Sequence, residues 1–436
     1  MQQTSDLRIA PAAAGALYWI RLQLNSGVRL PPRIMSRLLL LAALCTPAPL
    51  FAQQAPKQPW ATLTIKSATL ADTRTIYIAT PAGYGNARRR FPILVLLDAE
   101  DQDQFNAAVA NLRFLAGRAA IPELILVGIV NGKNRGYDLS PVAIDSTGRR
   151  SPDAGGAKRF VDFILHDVLP EVRVRFRTVP ATFLAGHSLG GLVALHAAST
   201  RREFAGIIAM SPSLWWNDSA AASGYADSLA HLSHPLRLFI GSGELEPAIA
   251  PTTRRLAARL DSLQPALLSY AHREYGGASH TMTPLLSFID GVQYLFEPMN
   301  LARLPISRLG PSSDSADVMR AYAASRMAYV AGARSLGFDV SALPEEQVNG
   351  LAYGVLTIKR LPNLAVWLFR ENVRDYPKSA SVFYGLGDGL LAVGDTASAI
   401  VELRRGLTMD TEPGQLRAAE VKKKLTALER RSVRRP

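Results

Sequence analysis

Cysteine is nearly absent from this chain of 436 residues, which contains a single one, Cys45. One thiol can build neither a disulfide framework nor a cysteine-based metal site, so both are excluded. Long hydrophobic runs are also missing, because the longest apolar stretch is shorter than the ~20 residues that a membrane-spanning helix needs. Neither a metal nor an organic cofactor is implied by any motif in the sequence.

Basic residues exceed acidic ones by 49 to 36, which gives a formal charge of +13. The basic residues do not form a dense stripe interleaved with aromatic residues, so nucleic acid is not an expected partner. The basic cluster Lys422–Lys424 near the end of the chain is most simply a solvated tail. Hydrophobic residues make up 48% and charged residues 19%, which is ordinary globular composition and excludes a largely disordered chain.

Residues 1–52 have the features of an upstream extension followed by a signal peptide. Arg37 precedes the short apolar run 38–44, and Ala52 offers a small residue for cleavage. We expect Met35 to be the true start and the mature protein to be periplasmic or secreted. After cleavage no stable membrane insertion is expected, and the alternative is an uncleaved membrane anchor.

In residues 53–300, short β-rich runs alternate with amphipathic helical stretches. Several runs are continuously apolar, which is typical of parallel strands buried on both faces. Such alternation predicts an α/β fold with helices on both faces of a mostly parallel sheet. The predicted strands are 75–79, 91–97, 124–130, 181–185, 206–210 and 236–240.

A nucleophile motif lies between the fourth of these runs and a helical stretch. Gly186-His187-Ser188-Leu189-Gly190 has the pattern Gly-x-Ser-x-Gly, in which small residues permit a tight strand-to-helix turn. Such a turn exposes the Ser188 hydroxyl as a nucleophile. It also makes the N–H of Leu189, the next residue, the first expected oxyanion donor.

A serine nucleophile needs a base and an orienting acid, which in this fold follow in the order Ser, acid, His. His272 and His280 are the two histidines that come late enough. We favour His280, because His272 lies in a strand-like run and His280 lies in a glycine-rich loop. The acid should follow the strand 236–240, where the spacing fits both Glu244 and Glu246.

Four segments of the first 300 residues carry a recognisable pattern: the nucleophile motif 186–191, Ser211-Pro212-Ser213-Leu214-Trp215-Trp216, Leu96-Leu97-Asp98-Ala99-Glu100 and Asn134-Arg135-Gly136-Tyr137-Asp138. Together they resemble the esterase family of the α/β-hydrolase superfamily, which includes siderophore esterases and S-formylglutathione hydrolase. The resemblance covers residues ~70–297 and implies an α/β-hydrolase fold with ester-hydrolase activity.

The resemblance also suggests further site residues. Its Gly-x-x-Glu-Pro pattern favours Glu246 over Glu244, and Ala99 replaces a family glycine in the loop expected to provide the second oxyanion N–H. Asp98 and Arg135 are expected at the substrate. Trp215 and Trp216 are expected to wall the pocket, unless either simply packs in the core.

Past Pro305 the strand-like runs stop, and residues 301–342 are expected to be a linker and a connecting helix. Residues 343–430 are predicted to be all helical. A period of 34 residues relates Ala365 to Ala399 and Phe369 to Leu403, which resembles tetratricopeptide repeats. These repeats could bind a protein partner or pack on the first domain; an ordinary helical hairpin is the alternative.

Together these features predict an exported serine hydrolase of a small-molecule ester, with Ser188, His280 and Glu246 as the catalytic triad. An acyltransferase with the same triad would use an acceptor alcohol instead of water. The non-enzymatic alternative is an inactive hydrolase that serves as a scaffold for the repeats.

Overall fold

A computed structural model describes residues 60–85, 89–144, 149–217, 220–310, 312–409 and 416–433. Residues 59–436 group into one compact unit. The expected signal peptide and its cleavage site near Ala52 lie outside the described residues. No helix in the described ranges is both long and apolar enough to cross a bilayer.

A twisted, mostly parallel sheet of eight strands forms the centre of the described residues. Its order is β1-β2-β4-β3-β5-β6-β7-β8, in which β1 and β2 pair antiparallel, β2 meets β4 antiparallel and every other pair is parallel. The strands are β1 Ala61–Ser67, β2 Asp72–Ala79, β3 Phe91–Leu96, β4 Ile125–Ile129, β5 Thr178–His187, β6 Gly206–Met210, β7 Leu236–Gly243 and β8 Leu268–Tyr275.

Helices cover both faces of this sheet, as expected for an α/β-hydrolase. Along β3, Leu94 and Leu96 pack with one core cluster, whereas Ile93 and Val95 pack with the other. This alternation explains why the whole strand is apolar. Around the sheet lie α1 Gln102–Ala116, α2 Arg135–Asp138, α3 Ala157–Phe163, the π-helical segment Ile164–Val168, α4 Leu169–Arg175, α5 Leu189–Thr200, α6 Ala220–Ala230, α7 Ala250–Leu263 and α8 Thr283–Leu295.

The remaining described residues are helical. Three short 3₁₀ turns between Glu297 and Arg308 lead into α9 Ser315–Ser335, which begins at a capping box between Asp314 and Asp317. The helices that follow are α10 Glu345–Thr357, α11 Pro362–Asp375, α12 Ala380–Ala392, α13 Thr396–Met409 and α14 Leu416–Val433.

The helical region shares its core with the sheet. The Phe338 ring, which follows α9, lies 6.4 Å from the ring of Phe183 in β5 and 6.5 Å from that of Phe296. One continuous cluster of buried residues extends from α1 and β3 to α11 and α12. The helices therefore bury apolar surface against the hydrolase fold.

The expected 34-residue period falls on equivalent places in α11 and α13. Ala365 and Ala399 are both fully buried, as are Phe369 and Leu403. Gly394, with φ +84°, makes the turn between α12 and α13. The tetratricopeptide interpretation and the domain boundaries at 300 and 343 stay predictions.

Candidate active site

Ser188 stands at the sharp turn between β5 and α5. Its backbone is strained, with φ +59° and ψ −119°. A Cβ at Gly186 would lie 2.2 Å from the Gly190 carbonyl oxygen, and one at Gly191 would lie 2.9 Å from the Met210 oxygen. The turn therefore requires the glycines of the motif, and it places Ser188 at the carboxyl edge of the sheet.

The Ser188 hydroxyl rests against a second serine. Its Oγ lies 3.4 Å from the Oγ of Ser213, whose N–H donates to the Ser188 carbonyl at 3.1 Å. Ser213 belongs to the Ser-Pro-Ser motif, but no sequence pattern indicates this contact. Among the described residues Ser188 Oγ makes no hydrogen bond to His280, and such bonds often tighten only when substrate binds.

Glu246 holds His280 through a short hydrogen bond. His280 Nδ1 and Glu246 Oε1 are 2.7 Å apart, and Glu246 is only 3% exposed. The other oxygen, Oε2, accepts from Ser211 Oγ at 2.9 Å and from the Gly243 N–H at 2.5 Å. With Nδ1 engaged, the Nε2 of His280 is left as the atom that can exchange a proton with Ser188.

These hydrogen bonds keep Glu246 ionised. Burial by itself would raise the pKa of Glu246, but the bonds from His280, Gly243 and Ser211 outweigh it and hold the pKa below its usual value. The ionised carboxylate can then stabilise an imidazolium at His280.

The structure pairs His280 with Glu246 and leaves Glu244 outside the site. Glu244 is exposed and accepts the Gly277 N–H at 2.8 Å, which braces the glycine-rich loop. His272 lies in β8 opposite Ile240 and contacts Ser242 Oγ at 3.4 Å. Neither residue joins the cluster around Ser188.

A second histidine packs against His280. The rings of His187 and His280 have their centroids 4.4 Å apart. Burial, and then the charge of His280, lower the pKa of His187 to about 4. Its Nε2 is buried without a partner among the described residues, so His187 is a neutral wall beside the imidazole of His280.

The two expected oxyanion donors, the N–H groups of Leu189 and Ala99, differ in whether they already have an acceptor. Leu189 is the first residue of α5, where a helical N–H has no intrahelical acceptor. Ala99, however, is fully buried, and its N–H donates to the Ile129 carbonyl at 3.0 Å. The prediction for Ala99 is therefore wrong: the chain turns at Asp98, φ +61°, and pairs again with β4.

Asp98 and Arg135 meet beside the nucleophile turn. Arg135 donates to both carboxylate oxygens of Asp98, at 2.6 and 2.8 Å, and Asn131 donates to the same group. An Asp98 oxygen lies 2.9 Å from where a Cβ of Gly190 would stand. The hydrogen bonds that Arg135 donates to Asp98 raise the pKa of Arg135. The Arg135 charge in turn neutralises a carboxylate that would otherwise repel an oxyanion.

The two tryptophans have different surroundings. Trp215 is 45% exposed, whereas Trp216 packs against the core beneath it, with the ring centroids 5.8 Å apart. Trp215 therefore presents its ring to solvent more fully than Trp216, and the role of either ring in walling the pocket stays a prediction.

Two of the cavities in the described part of the chain lie at opposite ends of the parallel strands. The larger of these two, about 500 Å³, is lined by the segment from Ala198 to Glu203, which includes the last turn of α5, at the edge away from Ser188. The smaller, about 240 Å³, is lined by Met210 and by Thr281 and Met282, which follow His280. No group of His, Cys, Asp or Glu side chains in the described ranges could hold a metal ion.

Comparison with known proteins finds similarity to esterases. The family model described as Putative esterase matches residues 67–281. A siderophore triacetylfusarinine C esterase of Aspergillus fumigatus is 33% identical over 198 residues, which make up 39% of this chain and 66% of that protein. These matches support the esterase family.

One further curated protein and one solved structure are also similar to this chain. A siderophore enterobactin esterase of Emericella nidulans is 39% identical over 130 residues, 26% of this chain and 43% of that protein. An IroE-like serine hydrolase of Shewanella oneidensis has a solved structure with TM-score 0.58 and 25% identity. It covers 72% of this chain and 99% of its own. The chain spans 66% and 43% of the lengths of the two curated relatives.

The curated relatives are esterases by name, and the solved neighbour is a serine hydrolase. The arrangement at Ser188, His280 and Glu246 is consistent with that chemistry. Sequence reasoning missed Ser211 and Ser213, whose motif carried the family resemblance but no individual role.

Proposed function

We propose that this protein is a serine esterase in which Ser188, His280 and Glu246 form the catalytic triad. The observation that carries the proposal is the buried Glu246 carboxylate, 2.7 Å from His280 Nδ1, beside a serine on a strained strand-to-helix turn. A decayed site would have no reason to retain this arrangement, which argues against an inactive scaffold.

In the proposed reaction, Ser188 Oγ attacks the ester carbonyl while His280 Nε2 takes the hydroxyl proton. The Leu189 N–H stabilises the oxyanion, and Glu246 stabilises the imidazolium. His280 then gives its proton to the departing alcohol oxygen, which leaves an acyl-enzyme on Ser188. Water, deprotonated by the same imidazole, releases the acid and restores the serine.

The proposed substrate is a small ester of siderophore type, because the curated relatives are named for such esters. The half-exposed Trp215 offers an aromatic surface for such a ligand, and the Arg135–Asp98 pair offers polar groups. A bound ferric siderophore would be substrate rather than cofactor. The esterase names of the relatives support hydrolysis over acyl transfer.

Two parts of the proposal concern the rest of the chain. We propose that the protein is exported to the periplasm or beyond, on the basis of the apolar segment 38–44 and the small residue Ala52. The helices after residue 343 would serve as a packing element or bind a protein partner.

A fluorophosphonate probe tests the proposal, because it reacts only with an activated serine. Intact protein should be labelled at Ser188, and Ser188→Ala should abolish labelling. Ser213→Ala is the matched control, since Ser213 is the other hydroxyl of the site, and it should still be labelled. No labelling of the folded wild-type protein, or labelling at another residue, would overturn the assignment.

A further inference from the structure

A slot opens beside the proposed triad, along one side of α1. Its walls include Gln104, Ala107, Ala108 and Asn111, which are residues i, i+3, i+4 and i+7 of that helix. This spacing lines one helical face over about 10 Å. The slot therefore extends along this helical face, with a volume of about 240 Å³.

The slot is lined by residues that are bonded to the reacting groups or directly follow them in the chain. Met210 lines it and accepts the Ser188 N–H at 2.9 Å. Thr281 and Met282, which directly follow His280, line it from the other side. A substrate group leaving the Ser188–His280 region along this wall would enter the slot.

The slot is mostly apolar, with one buried polar group. Leu96, Met210 and Phe288 supply hydrophobic wall, and the exposed fractions of Met282 and Leu285, 51% and 42%, show that the mouth is open. The Nδ2 of Asn111 is buried and has no partner among the described residues. Such a donor is expected to find an acceptor when a ligand binds.

Two acidic residues at the start of α1 line one end of the slot, and they restrict the charge that a ligand can carry there. Asp101 and Asp103 both line it, and Asp101 caps α1 by accepting the Gln104 N–H at 3.0 Å. A carboxylate in this part of the slot would be repelled by both side chains. An uncharged ligand avoids this penalty.

We infer that the slot binds the alcohol part of the ester, as an uncharged and largely apolar group with an acceptor oxygen near its far end. This inference rests on the proposed esterase function. His280 must protonate the departing alcohol oxygen, so that oxygen lies within hydrogen-bond reach of its ring. The group attached to the oxygen then lies next to Thr281 and Met282. An apolar cavity of 150 Å³ suffices for benzene, so this slot can take a ring or a short chain.

Two isomeric esters, hexyl acetate and ethyl hexanoate, test the inference. They have the same composition, but the long chain is the alcohol part of hexyl acetate and the acyl part of ethyl hexanoate. The ratio of kcat/KM for hexyl acetate to that for ethyl hexanoate should fall at least about tenfold in Ala107→Phe, which fills the slot. Leu285→Ala, which opens the mouth without adding bulk, should shift the same ratio. Ala110→Phe, on the exposed side of the same helix, is the matched control and should leave the ratio unchanged.

An unchanged ratio in Ala107→Phe, or a selective loss of ethyl hexanoate hydrolysis, would overturn the assignment while leaving the esterase function intact. The binding of hexan-1-ol, measured by calorimetry, tests the slot without turnover, and Ala107→Phe should weaken it. If the wild type hydrolyses neither ester and is not labelled by the fluorophosphonate probe, but binds hexan-1-ol in this way, the esterase proposal fails and the slot stands. If Ala107→Phe binds hexan-1-ol as the wild type does, the slot assignment fails.

Discussion

The carboxylate of Glu246 decides which nitrogen of His280 carries the proton. Because Oε1 accepts from Nδ1, Nε2 is free to act as the base. In Glu246→Gln the amide can present a donor to Nδ1 and favour the wrong tautomer. We expect kcat for p-nitrophenyl acetate to fall by ~10²-fold or more in this variant.

Glu244→Gln is the matched control, since Glu244 lies two residues away and braces the loop instead of touching the imidazole. It should change kcat only slightly. The reverse ranking would give the orienting role to Glu244. Small and equal losses in both variants would mean that serine and histidine act without an acid.

His187 makes folding sensitive to acid. Its pKa is lowered to about 4 from an ordinary value of 6.5, first by burial and then by His280. Between these two values the unfolded chain binds a proton that the folded chain does not, so stability falls as the pH falls through this window. The contribution lost is at most about 3 kcal/mol.

His187→Gln should flatten the pH dependence of the free energy of unfolding between about pH 6.5 and pH 4. Urea unfolding of the two proteins across this window measures the difference. His166→Gln, at an exposed histidine, should retain the wild-type dependence. If His187→Gln retains it too, His187 does not set the acid response.

The sequence predicted several single residues of the site, but not their hydrogen bonds. Ser188 could be chosen from the glycines that its turn requires. Spacing did not separate Glu244 from Glu246, because both follow the same strand at similar distances. The choice depends on Ser211 and Gly243, which hold the Glu246 carboxylate in place. Ala99 was predicted wrongly because the turn at Asp98 has no sequence signature.

At the scale of whole elements, the small residues at the end of β7 made the length of this strand hard to predict. The sequence predicted a strand over 236–240, yet β7 continues to Gly243 and pairs with Tyr275. Glycine and serine are typical of loops, but here they are needed: a Cβ at Gly243 would lie 2.3 Å from the Ala278 carbonyl oxygen. The close approach of the loop that carries His280 therefore determines the composition of the strand end.

The packing of Phe338 on the sheet links α9 to the hydrolase fold. Phe338 is 7% exposed and touches the rings of Phe183 and Phe296. Phe338→Ala should lower the free energy of unfolding by about 3–5 kcal/mol, because a cavity replaces the ring. Chemical denaturation measures this loss.

Met327→Ala is the matched control, since Met327 is 70% exposed on α9 itself. It should leave stability within about 0.5 kcal/mol of the wild type. A small effect of Phe338→Ala would show that the helical region packs only loosely on the sheet.

For the whole molecule, alternating β-rich and helical runs were enough to predict the α/β class and the all-helical continuation. The proposed boundary near residue 300 rests on the end of the strands, whereas the apolar core continues past it into α11 and α12. Contacts between residues distant in sequence, such as Phe183 with Phe338, leave no periodic signal. They cannot be predicted from local patterns.

The central claim is that Ser188 is the nucleophile of an esterase, and its most direct test is kcat/KM for p-nitrophenyl acetate in Ser188→Ala. Circular dichroism would confirm that the variant is folded, and Ser213→Ala would report the effect of removing the neighbouring hydroxyl. The account predicts a loss of at least ~10³-fold in Ser188→Ala and a much smaller loss in Ser213→Ala. Retention of most of the activity by folded Ser188→Ala would contradict it.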